Sequence, residues 1–261
     1  MVRTIVITGA SSGIGKALAQ RYAQADVTLG LLGRDRDRLE RVAADCRAAG
    51  AKIETGLIDV RARDDMSAWL ETFDSASPVD LLIANAGVME GTPPGGDVEL
   101  PQASYELMQI NVLGVLNTVH PLLPRMMARR RGQIAIIGSL AGFIPLRDSP
   151  SYCASKSALL AYGLSLRDLL RAQGIGVSVI CPGFVTTPMS QQETGDKPFE
   201  MPPERAVDII MRGLRRDKAV IAFPFWFALA ARIGGLLPHR LRERITRGSR
   251  FRVNPAAAPR N

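Results

Sequence analysis

Along the chain, short apolar runs alternate with longer stretches in which apolar residues recur every three to four positions. The runs read RTIVITG, VTLGLLG, IETGLID, VDLLIANAG, QIAIIGS, VSVICPG and AVIAFP; the stretches between them carry the helical period at 14–24, 36–49, 62–73, 103–129, 152–172 and 203–215. Several runs are apolar on both faces, so they need cover from both sides, and helical crossovers between parallel strands supply it. The pattern predicts an α/β doubly wound fold, a seven-stranded parallel sheet flanked by helices in a single domain. Such sheets bind ligands beyond the carboxyl ends of their strands, so the residues that follow each run carry the functional argument.

TGASSGIG, residues 8–15, follows the first run and opens the first helical stretch. Gly9, Gly13 and Gly15 allow a tight turn and a close backbone approach. With Ser11, Ser12 and Ile14 they present N–H groups and a helix dipole to a pyrophosphate. The second run ends in Gly33-Arg34, where a carboxylate would serve a ribose 2′-hydroxyl. A guanidinium there clamps a 2′-phosphate instead, so NADPH is expected over NADH, with Asp35 beside it as the opposing charge. Asp59 ends the third run and is expected at the adenine amino group.

Ser139 ends the fifth run, and thirteen positions later Tyr152 and Lys156 stand at i and i+4 on one helix face. Carbonyl reduction needs a proton donor tuned near the working pH. An ammonium at about 4 Å, at an effective dielectric of about 20, stabilises a phenolate by about 4 kcal/mol. That interaction lowers the tyrosine by about three pKa units before desolvation opposes it.

With these residues in hand, the chain resembles the short-chain dehydrogenase/reductases, in the single-domain branch of roughly 250 residues with a Rossmann-like fold. TGASSGIG matches their cofactor turn and IANAG their fourth-strand motif, here Asn85, Ala86 and Gly87. QINVLG matches the segment carrying their helix asparagine, Asn111, and PGFVTT matches the segment beside the nicotinamide, with Pro182, Gly183, Val185 and Thr187. Ala84 stands where the family often has a first asparagine. The resemblance implies an NAD(P)-dependent ketone–alcohol oxidoreductase in which Tyr152 is the proton donor, Lys156 holds the nicotinamide ribose, Ser139 polarises the substrate oxygen and Asn111 sustains a water. It implies a homodimer or homotetramer packed through the helices after the fourth and fifth strands. A sugar epimerase or dehydratase of the extended branch shares Tyr152 and Lys156 but has another glycine spacing and a larger second region. A non-catalytic NADPH sensor or scaffold would have lost a member of the Ser139, Tyr152, Lys156 group.

Composition narrows the rest. Hydrophobic residues make up 46% and charged residues 22% of the 261, as in a packed globular protein, and 33 basic against 25 acidic residues leave a net charge of +8. That balance suits an anionic cofactor or an acidic lipid surface; no nucleic-acid motif accompanies it, so nucleic acid is not expected. Cys46, Cys153 and Cys181 give no disulfide framework, and His120 and His239 show no metal-ligand spacing, so a cytoplasmic protein without a metal is expected. The N-terminal run is too short before its glycines for a signal-peptide core.

Residues 1–222 are expected to form the Rossmann-like catalytic unit, with 223–261 as an apolar, then basic, extension of it. Within AVIAFPFWFALAARIGGLL, residues 219–237, Pro224, Arg232 and the Gly234-Gly235 pair argue against a spanning helix. The segment is expected to serve as substrate cover, subunit contact or a peripheral contact with the inner membrane surface, followed by the basic PHRLRERITRGSRFR and a frayed tail. Such extensions recur in members linked to lipid or bacterial surface-polysaccharide synthesis, so a small hydrophobic or lipid-linked carbonyl substrate is expected. Residues 187–204, polar and rich in turns, are expected to form a mobile lid lined by Met189 and Phe199. The Arg129-Arg130-Arg131 run is expected to close a helix, where cations complement its dipole.

Overall fold

The computed structural model describes residues 2–246 and 252–253. Seven parallel strands form one sheet in the order β3-β2-β1-β4-β5-β6-β8. They are β1 (Thr4–Thr8), β2 (Thr28–Gly33), β3 (Lys52–Leu57), β4 (Leu81–Ala84), β5 (Gly132–Ile137), β6 (Ile175–Pro182) and β8 (Val220–Phe223). A separate pair, β7 (Glu193–Thr194) and β9 (Arg252–Val253), is antiparallel.

The helices cover both faces, and the alternation within β1 shows why. Ile5 and Ile7 point into a core with Leu18 of α1 (Gly13–Tyr22), Leu39 of α2 (Arg36–Ala48) and Ile210 of α8 (Pro203–Arg215). Val6 points the other way, toward Phe73 of α3 (Arg63–Ala76) and Leu159 of α7 (Pro150–Leu170). Successive strand residues face opposite sides, so a strand buried on both must be apolar throughout.

The periodic stretch 103–129 does not form one α-helix. It divides into α4 (Pro101–Met108), a π-helical turn at Gln109–Leu113, α5 (Gly114–Val119), a 3₁₀ turn at His120–Leu122 and α6 (Leu123–Ala128). Pro121 and Pro124 lack the N–H that a continuous α ladder requires. The π turn inserts a residue and turns Asn111 fully into the interior.

The arginine run does more than close α6. Arg129 pairs with buried Asp74 of α3 at 2.9 Å and donates to the Val79 carbonyl at 2.7 Å; Arg131 reaches Asp80 at 2.6 Å. The expected lid contains β7, and a bridge from Val185 to Met201 ties its ends together. Phe225–Leu236 and His239–Thr246 form α9 and α10. Among the described residues no helix is long and apolar enough to cross a membrane. Residues 247–251 of the basic stretch and the tail 254–261 lie outside the described residues.

Candidate active site

The sheet order reverses beside β1, with β2 on one side and β4 on the other, and a crevice opens at their carboxyl ends. The two loops there are tied together. Asn85 donates through Nδ2 to the carbonyls of Thr8 (2.9 Å) and Gly9 (3.1 Å), while Thr8 Oγ1 accepts from the N–H groups of Asn85 and Ala86, both at 3.1 Å. Asn85 therefore braces the turn, and Thr8, which spacing alone does not single out, braces Asn85.

Within the turn, Gly9 and Gly13 adopt φ of +64° and +52°, where a side chain is strained. A Cβ on Gly15 would lie 2.2 Å from the Gly9 carbonyl oxygen. Ser12 caps α1 without a side-chain hydrogen bond, and no acidic residue occupies the first helical turn. The cradle of backbone N–H groups thus fits a dinucleotide pyrophosphate.

At the outer end of the crevice, Asp35 caps α2 by accepting from the Arg38 N–H (2.9 Å) and pairs with Arg38 Nε (2.8 Å). Arg34 is half-exposed and makes only a loose 3.4 Å contact with Asp59. Burial raises the pKa of the Asp59 carboxyl, but hydrogen bonds and charge from Arg61 at 2.7 Å, with Arg34 behind, hold it below the usual carboxylate range. Arg38, in the first turn of α2, lines the cleft as Arg34 does.

At the inner end, β5 delivers Ser139, and α7, opened by Pro150 at its first position, delivers Tyr152 and Lys156. The Ser139 hydroxyl, which accepts from the Ala141 N–H at 3.1 Å, stands near enough to the Tyr152 phenol to pull its pKa down. The Lys156 ammonium donates to the Ile137 carbonyl at 3.1 Å and lies over the Tyr152 ring, 5.6 Å from its centroid. Asn111 grips the Val88 backbone, accepting from its N–H (2.8 Å) and donating to its carbonyl (2.9 Å), and also donates to Ser155 Oγ at 3.2 Å. A Cβ on Gly87 would sit 3.1 Å from Asn111 Oδ1 and 3.7 Å from Lys156 Nζ, so both side chains close on one point.

The electrostatics correct one expectation. Burial drives the Tyr152 pKa upward, and the Glu193 carboxylate adds to that, outweighing the opposing pull of the Ser139 hydroxyl. Burial also lowers Lys156 to about 8. Spacing predicts a phenol made acidic by its ammonium, but the ammonium faces the ring and the Ile137 carbonyl, and both groups have lost their water.

The cleft holds about 930 Å³. Every residue expected in the site lines it except Gly15, packed inside the turn, and Asn111, buried behind the wall. Met189 also lines it; Phe199 does not, and is 65% exposed. Its substrate end is apolar, with Leu146, Met189, Phe227, Ile233 and Leu237, and it includes Glu193, which the sequence did not mark. Cys153 accepts from the Leu146 N–H at 3.3 Å, and burial pushes Cys181 up to about 12, so neither thiol offers a nucleophile.

A family model for the short chain dehydrogenases matches residues 3–198. The chain belongs to that family. An uncharacterized oxidoreductase from Myxococcus xanthus is 34% identical over 244 residues, 92% of this chain and 94% of that protein. Human estradiol 17-beta-dehydrogenase 11 is 30% identical over 240 residues, 90% of this chain and 79% of that one. Among solved structures, a short-chain dehydrogenase from Sphingobium yanoikuyae in complex with NADPH superposes with a TM-score of 0.78 at 27% identity, covering 95% of this chain and 97% of that chain. A bulky-bulky ketone specific alcohol dehydrogenase from Comamonas testosteroni gives 0.76 at 25% identity, covering 95% of each. This short-chain dehydrogenase is therefore an NAD(P)-dependent oxidoreductase with a Rossmann fold.

Proposed function

We propose that the protein interconverts a hydrophobic ketone and its secondary alcohol with NADPH. The observation that carries this reading is the convergence of Ser139, Tyr152 and Lys156 where the glycine-turn crevice meets an apolar chamber. The turn at 9–15 holds the pyrophosphate, Arg34 and Arg38 meet the 2′-phosphate, and Lys156 reaches the nicotinamide ribose. Bound NADPH supplies the hydride to the carbonyl carbon. Tyr152, protonated across the neutral range, gives its proton to the oxygen as the C=O π bond opens. Ser139 donates to the same oxygen as a neutral group that adds no buried charge. Lys156 holds its ammonium over the Tyr152 ring, and Asn111 holds the Val88 loop that frames this end.

In the Tyr152→Phe variant, turnover of bulky ketones should be lost while the NADPH Kd stays within about threefold. Full turnover without the phenol would end the assignment.

The apolar lining supports a lipid-like substrate, and α9 supports delivery from a bilayer. Phe225, Trp226 (75% exposed), Leu229, Ile233 and Leu236 (87% exposed) share its outward face, while small Ala228 and Ala231 pack inward. The same helix walls the cleft, and Arg240, Arg242 and Arg244 of α10 follow it. An apolar stripe beside a basic helix at the substrate mouth matches an acidic lipid surface, so we read the protein as peripheral on a membrane face. With vesicles containing phosphatidylglycerol, the Trp226 emission should shift to the blue; no shift at low salt would exclude the contact. Tyr105, Met108 and Leu113 on the α4–α5 segment and Leu169 on α7, all exposed, support homo-oligomer packing on another side.

A further inference from the structure

We propose that Glu193 is a specificity-determining residue that accepts a hydrogen bond from a hydroxyl group on the substrate, so that the preferred substrate is an apolar ketone carrying a hydroxyl away from its carbonyl. The inference rests on the ketone–alcohol reading of the cleft and adds to it.

Glu193 lies in β7, in the wall of the same cleft. Pairing with Val253 of β9, itself buried against the cluster around Tyr152, holds it there. Among the described residues its Oε2 is shielded and has no hydrogen-bond partner. The cation beside it, Lys197, donates to the Ser190 carbonyl, and Glu200 accepts from Ser190 Oγ at 3.4 Å. A buried carboxylate oxygen without a donor costs stability; Glu193 lines the cleft, and a turn of its carboxyl toward the chamber lets a ligand hydroxyl supply the donor.

The carboxylate also contributes to the raised pKa of Tyr152, so it stands within electrostatic range of the reacting phenol. Burial, reinforced by Glu200 and opposed by Lys197, pushes Glu193 up to about 7. A hydroxyl suits such a group better than an ammonium: it donates to the carboxylate, accepts from the carboxylic acid and brings no charge into an apolar chamber. Arg242, which lines the same cleft, already disfavours a cationic substrate there.

The test uses rigid polycyclic ketones differing only in the position of one hydroxyl, with the unsubstituted ketone as reference. The wild type should prefer one positional isomer over the reference by about 10- to 100-fold in kcat/KM. Glu193→Met should erase that preference, read as the ratio of kcat/KM for the isomer to that for the reference so that any common effect through Tyr152 cancels, and Glu193→Gln, closer in shape, should retain part of it. Unchanged NADPH affinity reports an intact cleft in each variant. Calorimetric binding of the matched alcohols to the NADP-loaded protein gives the same comparison without turnover. If the wild type reduces none of the ketones but binds the hydroxylated alcohol more tightly through Glu193, the reaction reading fails and the recognition stands. Equal treatment of hydroxylated and reference compounds by the wild type, or a preference that survives Glu193→Met, overturns the proposal.

Discussion

Replacing Lys156 with methionine should stabilise the fold at neutral pH and stop catalysis. In the folded chain the ammonium pKa falls from 10.5 to about 8 because burial strips its water. The difference of about 2.5 units, at about 1.4 kcal/mol each, is roughly 3 kcal/mol of cost. The unfolded chain holds the proton more tightly, so this cost is complete below about pH 8, fades as pH rises toward 10.5 and is absent above. Methionine keeps most of the side-chain volume but loses the bond to the Ile137 carbonyl, worth about 1 kcal/mol. The net gain is therefore about 2 kcal/mol at pH 7, falling to about zero near pH 10. With a urea dependence of about 3 kcal/mol/M, the unfolding midpoint moves up by about 0.7 M at pH 7. Paired urea titrations at pH 7 and pH 10 measure the difference, and other groups that titrate in this range cancel between variant and wild type. A variant less stable at pH 7, or displaced equally at both pH values, would refute the argument that desolvation governs this lysine.

Arg34→Ala should weaken NADPH by about 10- to 100-fold and change NADH by less than threefold, because a charge-assisted hydrogen bond contributes about 1.5–3 kcal/mol and only NADPH carries the 2′-phosphate. Equal losses for both dinucleotides, read by fluorescence titration, would remove Arg34 from cofactor choice. Gly15→Ala should lower stability by about 1–3 kcal/mol and abolish dinucleotide binding, since the new methyl would lie 2.2 Å from the Gly9 carbonyl oxygen. Thermal unfolding and the same titration check both effects, and undiminished binding would show that the turn has slack.

The parts of the site legible in the sequence are those whose chemistry demands a residue type at a fixed local spacing. The positive φ of Gly9 and Gly13 admits few other residues, and the helical repeat alone places Tyr152 and Lys156 on one face of α7. What stayed hidden depends on contacts distant in sequence. Glu193 sits in a stretch that reads as a polar loop, and β9, sixty residues later (253 − 193), pairs with it and shields it. The period through 103–129 is continuous, yet the π turn that buries Asn111 is held by that residue's grip on Val88, a contact distant in sequence. Asn85 matched a cofactor motif, and only the geometry shows its amide committed to Thr8 and Gly9.

The error over Tyr152 has the same origin. Four residues of helix bring an ammonium near a phenol, but they do not say whether water remains around either. Here it does not, and desolvation moves the two pKa values toward neutral forms, the tyrosine up and the lysine down. A phenol raised in this way is protonated throughout the neutral range, as a free phenol is, but it is a weaker acid than a free one. The reverse reaction must first remove that proton from a site that disfavours phenolate, with the Glu193 carboxylate disfavouring it further. Any tuning that makes Tyr152 an effective base must come from charge brought into the cleft with its ligands.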